Sequence, residues 1–298
     1  MSRVVRVPFL AGPSRSQAAR RAVVAAVLTA LVVVLSACTP AASAHTRSRV
    51  ASGTAGTSST TTPATPPTTS VTGRGPLVVV GLGDSVMSGT ACDCQPFIVR
   101  YAAALASRDH ASSERVVNLG HSGLTVPGLT SQLGTAADQD ALRAASVVVV
   151  TIGANDLVPL VDRWRDDACD DACVRDGVAG LADPLAVALR RVRTLAPDTA
   201  RILVTTYWNV FEDGDVADGD YGAGFAQWSD DVTAAANTRI CDAAQGIGAT
   251  CVDLYRPFNG DGGKDPTPLL ADDGDHPNSA GHALIARTLL EATPSGAP

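Results

Sequence analysis

Lysine is almost absent: of 23 basic residues Lys264 is the single lysine, which reads as a GC-rich coding bias rather than a physical requirement. Positive charge is in deficit as well. The formal net charge of −7 argues against nucleic acid as a partner, since binding it needs a basic face. The apolar run Ala22–Leu35 stops at fourteen residues, short of the roughly 20 that a membrane span requires. No Gly-rich phosphate cradle and no His-rich metal motif occurs, so neither cofactor nor metal is expected. No internal repeat is found, and the aromatic residues number only twelve.

What is present begins with an address. Arg3, Arg6, Arg15, Arg20 and Arg21 precede the apolar run, and Ser36-Ala37-Cys38 closes it. That is the basic, apolar and small-residue order of a secretory signal peptide over residues 1–37. Leu35-Ser36-Ala37-Cys38 resembles a bacterial lipobox, which implies cleavage before Cys38 and lipidation of its sulfur. An ordinary signal peptide or an uncleaved anchor are the alternatives. Each of them exports the remainder, to the outer face of the cell membrane or into the medium. Cleavage removes five positive charges and no negative one, taking the net charge from −7 to about −12. Residues 38–75 are rich in Ser, Thr and Pro and bury too little apolar surface to offset chain entropy, so a disordered tether is expected. Residues 76–298 suffice for one domain with a single core.

Beyond Cys38 six cysteines remain, and an even number in an exported chain implies three disulfides. Cys241 with Cys251 is the firmest pair, and Cys169 with Cys173 is the next. Cys92 with Cys94 would close a small ring, so a cross-link between those two local pairs stays open. A zinc site from C-x-C and C-x₃-C is the competing reading, disfavoured by export into an oxidising compartment.

Short apolar runs alternate with helical patterns through the folded part. Strands are expected at Leu77–Leu82, Arg115–Asn118, Ala145–Ile152, Arg201–Thr206 and Thr250–Leu254. Helices are expected at Phe97–Arg108, Leu124–Leu133, Val178–Leu195 (with Pro184 near its start), Gln227–Ala244 and Ser279–Ala292. Alternation of this kind implies a parallel sheet with helices on both faces. In such a sheet ligands bind beyond the carboxyl ends of the strands.

Four short motifs fall at those ends. Gly83-Asp84-Ser85 follows the first strand, Gly120 the second and Gly153-Ala154-Asn155-Asp156 the third, and Asp272–Asn278 precedes the last helix. Any one alone is weak, since Gly-Asp-Ser also describes a glycine turn with an N-capping serine. Together and in order they resemble the four blocks of the GDSL/SGNH hydrolase family, across essentially all of 76–293. Val86 stands where that family's name-giving Leu would be. The resemblance implies a three-layer α/β sandwich of the flavodoxin-like kind, with a five-stranded, mostly parallel sheet. It also implies a serine-dependent ester hydrolase.

The chemistry supports the same roles. A serine hydroxyl needs a base near neutral pH, and the base needs an acceptor that sets its tautomer. Ser85 is the expected nucleophile, His276 the base and Asp273, three residues before it, the acceptor. Asp275 should point away. The backbone amides of Ser85 and Gly120 and the Asn155 side chain are the expected oxyanion donors. Gly120 suits that role because a missing side chain lets substrate reach the amide, whereas Asn155 also reads as a plain turn residue. Asp156 reads as structural, His121 as pocket or loop, and His110 and His282 as surface and helix positions. The chain lacks the G-x-S-x-G elbow of the α/β-hydrolase fold.

Six of the twelve aromatics fall between Tyr207 and Trp228 around the acidic stretch Glu212–Asp220. A mobile loop with aromatic ends is expected there, with Trp208, Asn209 and Phe211 at the substrate pocket. The alternative is that the aromatics simply pack on the core. The expected activity is hydrolysis of short acyl or acetyl esters of lipids or polysaccharides by a monomer held to the membrane through lipidated Cys38. An acyltransferase using the same triad and a non-catalytic binding protein are the other readings.

Overall fold

Val147–Val150 are four consecutive β-branched residues, a composition suited to a strand buried on both faces. The strand they make, β3 (Val147–Thr151), is buried along its whole length. The computed structural model describes residues 75–295. The expected signal segment, the lipidation site Cys38 and the tether up to residue 74 lie outside the described residues. β1 (Leu77–Gly83) and β4 (Arg201–Thr205) flank β3, with β2 (Glu114–Gly120) and β5 (Thr250–Val252) outside them. All neighbours pair in parallel, in the order β2-β1-β3-β4-β5. This is the expected five-stranded sheet, and β2 at its edge is the strand with the most exposed residues.

Between the strands run α1 (Ser85–Ser88), α2 (Phe97–Asp109), α3 (Val126–Gln132), α4 (Ala136–Arg143), α5 (Ala154–Arg165), α6 (Asp171–Leu195), α7 (Gly214–Tyr221), α8 (Phe225–Gln245), α9 (Tyr255–Asn259) and α10 (Ser279–Ala292). Caps set several of their starts. Thr125, Thr135 and Asp170 each accept a backbone N–H from the first turn of α3, α4 and α6, and Asn278 accepts two from α10. α2 packs on α10, while α3, α4, α5 and α8 pack on α6, so helices cover both faces. The chain passes from β1 to the edge strand β2 and then back across to β3. That reversal opens a crevice at the carboxyl ends of β1 and β3.

Several helices differ from expectation, and the short α4 and α9 were not expected at all. α6 begins at Asp171 rather than Val178, because Asp170 caps it, and Pro184 therefore sits in its middle. α5 was not expected, since Pro159 interrupts its pattern; the missing N–H leaves only one carbonyl, that of Asn155, without its helical donor. The stretch Glu212–Asp220, expected as a mobile loop, carries α7. Its acidic residues suit a helix start: Asp213 caps it, and Asp215 lies in the first turn, where the helix dipole favours negative charge. His282, expected at a helix position, lies on α10 and is wholly buried.

The six cysteines face each other as three local pairs. Cα–Cα distances are 5.0 Å for Cys92 and Cys94, 5.0 Å for Cys169 and Cys173 and 5.2 Å for Cys241 and Cys251, inside the span a disulfide bridges. The first two pairs are each brought together locally rather than to one another.

Candidate active site

Ser85 is the first residue of α1, separated from β1 by the capping Asp84, and Asn155 is the second residue of α5 after β3. They meet because Gly83 at the end of β1 lies in register with both Gly120 of β2 and Thr151 of β3. A cleft of about 270 Å³ opens at this point, with Ser85, Asn155, Val158, Tyr207 and Asp275 among its walls. One face of α5 supplies Ala154, Asn155, Val158, Val161, Asp162 and Arg165, a stripe of helical spacing that Pro159 obscured in the sequence.

His276 enters from the segment before α10. Its Nδ1 lies 2.8 Å from Asp273 Oδ2, while Asp273 Oδ1 accepts the backbone N–H of His276 at 3.0 Å and of Asp275 at 3.1 Å. Desolvation alone would raise the Asp273 carboxyl. The His276 amide, the His276 ring and the Asp275 amide outweigh it and hold the group below the ordinary carboxylate value. An ionised Asp273 accepts a hydrogen bond from Nδ1–H, which keeps the proton on Nδ1 and the lone pair on Nε2. Nε2 is buried and has no hydrogen-bond partner, Ser85 included.

Asp275, expected to point away, lines the cleft instead. Its Oδ2 is 3.8 Å from His276 Nδ1, beyond hydrogen bonding. Desolvation in the cleft wall, with Asp273 nearby, lifts its carboxyl above the ordinary value against the pull of His276. The whole segment is pinned by α7. Asp213 donates its N–H to Gly274 O at 2.8 Å, and a side chain at Gly274 (φ 68°) would meet Val216 of α7 at 2.5 Å.

The expected oxyanion donors are placed unequally. Ser85 is the first residue of α1, so its N–H takes no part in the helix ladder. Asn155 Nδ2 donates one hydrogen to Leu124 O at 3.0 Å and keeps a second. Gly120 N–H is accepted by Asn118 Oδ1 at 3.0 Å. The missing side chain of Gly120 has a packing reason rather than one of access. A Cβ there would lie 2.6 Å from Ser88 N and 2.9 Å from Met87 C, so α1 rests directly on the strand. Asn118 completes the clamp by donating to Met87 O at 2.9 Å. Nothing in the sequence marks Asn118, because a lone Asn in an edge strand carries no signal.

Trp208, Asn209 and Phe211 do line the cleft, yet they are only 1%, 3% and 4% exposed. Trp208 stacks on Phe258 with ring centroids 4.5 Å apart, and Phe211 on Trp228 at 5.3 Å. The aromatics of 207–228 therefore pack mainly on the core. Tyr221 and Glu212, on and beside α7, reach the cleft as well. Asp156 binds both carboxylate oxygens to Val126 N–H at 3.0 and 3.2 Å, holding the start of α3. His121 and His110 are exposed.

Among the described residues one cluster has the makings of a metal centre: Cys92, Cys94 and a ring nitrogen of His282 lie within 4.8 Å of one another. His282 Nδ1 already accepts Phe97 N–H at 3.2 Å, which occupies its lone pair and leaves the proton on Nε2. Burial first, then Arg100, depresses this ring to about 4.

The profile of the GDSL-like Lipase/Acylhydrolase family matches residues 82–284. Solved structures of similar fold include the lipase Lip_vut3 from a goat rumen metagenome, at 17% identity and TM-score 0.61, covering 74% of this chain and 98% of that one. Phospholipase A1 from Streptomyces albidoflavus is 21% identical at TM-score 0.54, covering 72% of this chain and 99% of its own. A catalytic mutant of an acetylxylan esterase from Geobacillus stearothermophilus is 19% identical at TM-score 0.52, covering 75% and 96%. No curated protein matches the chain.

Proposed function

Because the chain belongs to the GDSL-like Lipase/Acylhydrolase family and is a carboxylic ester hydrolase, we propose that it cleaves short acyl or acetyl esters of lipids or carbohydrates through an acyl-enzyme on Ser85. The observation that carries this reading is the His276 ring, oriented by Asp273 and with Nε2 unpaired, on the rim that holds Ser85. Nε2 takes the Ser85 proton as Oγ adds to the ester carbonyl. The oxyanion is met by Ser85 N–H and the second amide hydrogen of Asn155, each such donor being worth on the order of 3 kcal/mol. Nε2 then returns the proton to the departing alkoxide, leaving the acyl group on Oγ. A water enters by the same route and gives a proton to His276 as its oxygen adds to the acyl carbon; the bond to Ser85 Oγ then breaks, His276 returns the proton to Oγ, and the acid leaves. Asp273 stays ionised throughout and stabilises the imidazolium.

The cleft supports short acyl groups by its size, about 270 Å³ with polar residues among its walls. Asp84, Asp162, Glu212 and Asp275 outnumber Arg165 along it, which favours neutral over anionic leaving groups. Trp208 belongs to the base of this pocket through its packing on Phe258. The catalytic domain works as a monomer outside the cell, its three local cysteine pairs oxidised, on a tether anchored by lipidated Cys38. The basic, apolar and small-residue order of the first 37 residues supports that location.

Labelling with a fluorophosphonate probe tests the nucleophile. Wild type should react and Ser85→Ala should not; a variant that still labels overturns the assignment. Rates on aryl acetate, butyrate and palmitate test the acyl size, with acetate or butyrate expected to lead. Release of acid regardless of an added sugar acceptor separates hydrolysis from acyl transfer.

A further inference from the structure

The turn that carries Ser85 stands on a buried carboxyl. Asp84 is 1% exposed and caps α1, its Oδ1 accepting Val86 N–H at 3.0 Å and its own N–H donating to Thr151 O at 3.1 Å. That leaves Oδ2 facing the interior, where an unpaired carboxylate oxygen is costly. The Tyr207 hydroxyl donates to it from 123 residues away in sequence. Tyr207 is itself held at both backbone atoms: its N–H donates to Asn237 Oδ1 at 3.0 Å, and its carbonyl accepts from Asn237 Nδ2 at 2.9 Å. Asn237 lies on α8, so the chain of contacts runs from that helix through Tyr207 and Asp84 to the residue before the nucleophile. Tyr207 also lines the cleft.

The geometry points to Tyr207 as a positioning residue for Ser85, acting through Asp84: its hydroxyl keeps a buried carboxylate paired at the base of the nucleophile turn, with Asn237 as the clamp. The assignment rests on Ser85 as nucleophile. Two consequences separate this role from mere packing. First, Tyr207→Phe keeps the ring and loses only the O–H. Second, the protonation of Asp84 becomes visible in turnover. Burial pushes that carboxyl up to about 7, against the Tyr207 hydroxyl and the Val86 amide, which pull it down. Asp275 and His276 face it from the segment before α10, the first raising and the second lowering it, and Asp156 faces Tyr207 from α5. An ionised Asp84 favours the imidazolium that forms on His276 as Ser85 gives up its proton. Turnover should therefore fall as pH drops through the Asp84 transition. Removing the Tyr207 hydroxyl removes a group that lowers Asp84, so the acid limb should move to higher pH.

The test is a double-mutant cycle on aryl acetate hydrolysis with Tyr207→Phe, Asp84→Asn and the double variant, each followed across pH with a thermal midpoint as control. Tyr207→Phe should lower kcat roughly ten- to a hundredfold, shift the acid limb upward and leave KM within about a factor of three. In the Asp84→Asn background, where the part of the acid limb that Asp84 sets should be lost, the same change should cost less than about twofold. Equal losses in both backgrounds would make Tyr207 a packing residue and overturn the inference. If Tyr207→Phe does not fold, Asp84→Asn decides alone: an unaltered acid limb refutes the coupling. Should Ser85→Ala stay active, the nucleophile assignment fails instead, and the two failures are told apart by that variant.

Discussion

Replacing Asp273 by Asn should disable the base through its tautomer rather than its position. Two backbone amides, those of His276 and Asp275, point at Oδ1 from 3.0 and 3.1 Å, so the oxygen of an asparagine must take that place. Its Nδ2 then occupies the position of Oδ2, 2.8 Å from His276 Nδ1, and two donors cannot face each other there. The ring responds by moving its proton to Nε2, which leaves no lone pair for the Ser85 proton. Trapping the wrong tautomer costs about 10⁴-fold in turnover, or about 5.5 kcal/mol of barrier. Folding should change little, since the two backbone bonds persist and a single partly exposed hydrogen bond is worth about 1 kcal/mol. Asp275→Asn is the contrast. With no hydrogen bond at 3.8 Å, it removes only a through-space attraction in a half-exposed position, worth about 1 kcal/mol or several-fold. The assay is kcat/KM on an aryl acetate from pH 6 to 9, with circular dichroism and a thermal midpoint on each variant. Greater damage from Asp275→Asn, or a loss under tenfold from Asp273→Asn in a folded protein, would refute the reasoning.

Three further outcomes are expected. Gly120→Ala places a methyl 2.6 Å from Ser88 N, which is backbone and must shift, so both activity and the thermal midpoint should drop; a fully active, equally stable variant would show that α1 does not rest on β2. Asn155→Ala should reduce turnover on the order of a hundredfold or more while stability falls by no more than the one bond to Leu124 O; unchanged turnover would remove it from the oxyanion site. Cys38→Ser should shift the protein out of the membrane fraction or block its processing, whereas a wild-type protein found wholly in the medium with an unmodified N-terminus would count against lipidation there.

Strand and helix identity was legible because it depends on near neighbours. Val147–Val150 can only be a buried strand in a chain of this pattern, and the Asp273-x-x-His276 spacing spans one turn. The placement of Ser85, Gly120 and Asn155 followed from strand ends, and that of His276 from the start of the last helix. Local signals misled in two places. Pro159 masked α5, although the α5 stripe continues on either side of it. The glycines and aspartates of 212–220 suggested a loop, yet a capping Asp213 and favourable charge in the first turn make a helix.

Periodicity carries the layers of the fold, and short motifs, with the family resemblance they make, carry the rim residues and the partner of His276. What those residues rest on depends on the assembled sheet. Asp84 meets Tyr207 across 123 positions, Gly274 meets Val216 of α7, and Trp208 lies on Phe258. Each of these contacts joins segments with no common period, and its energy exists only once the sheet has set both ends at one distance. The same holds for Asp275 and His282, whose neighbours in sequence say nothing of the cleft wall or the buried pocket that surrounds them.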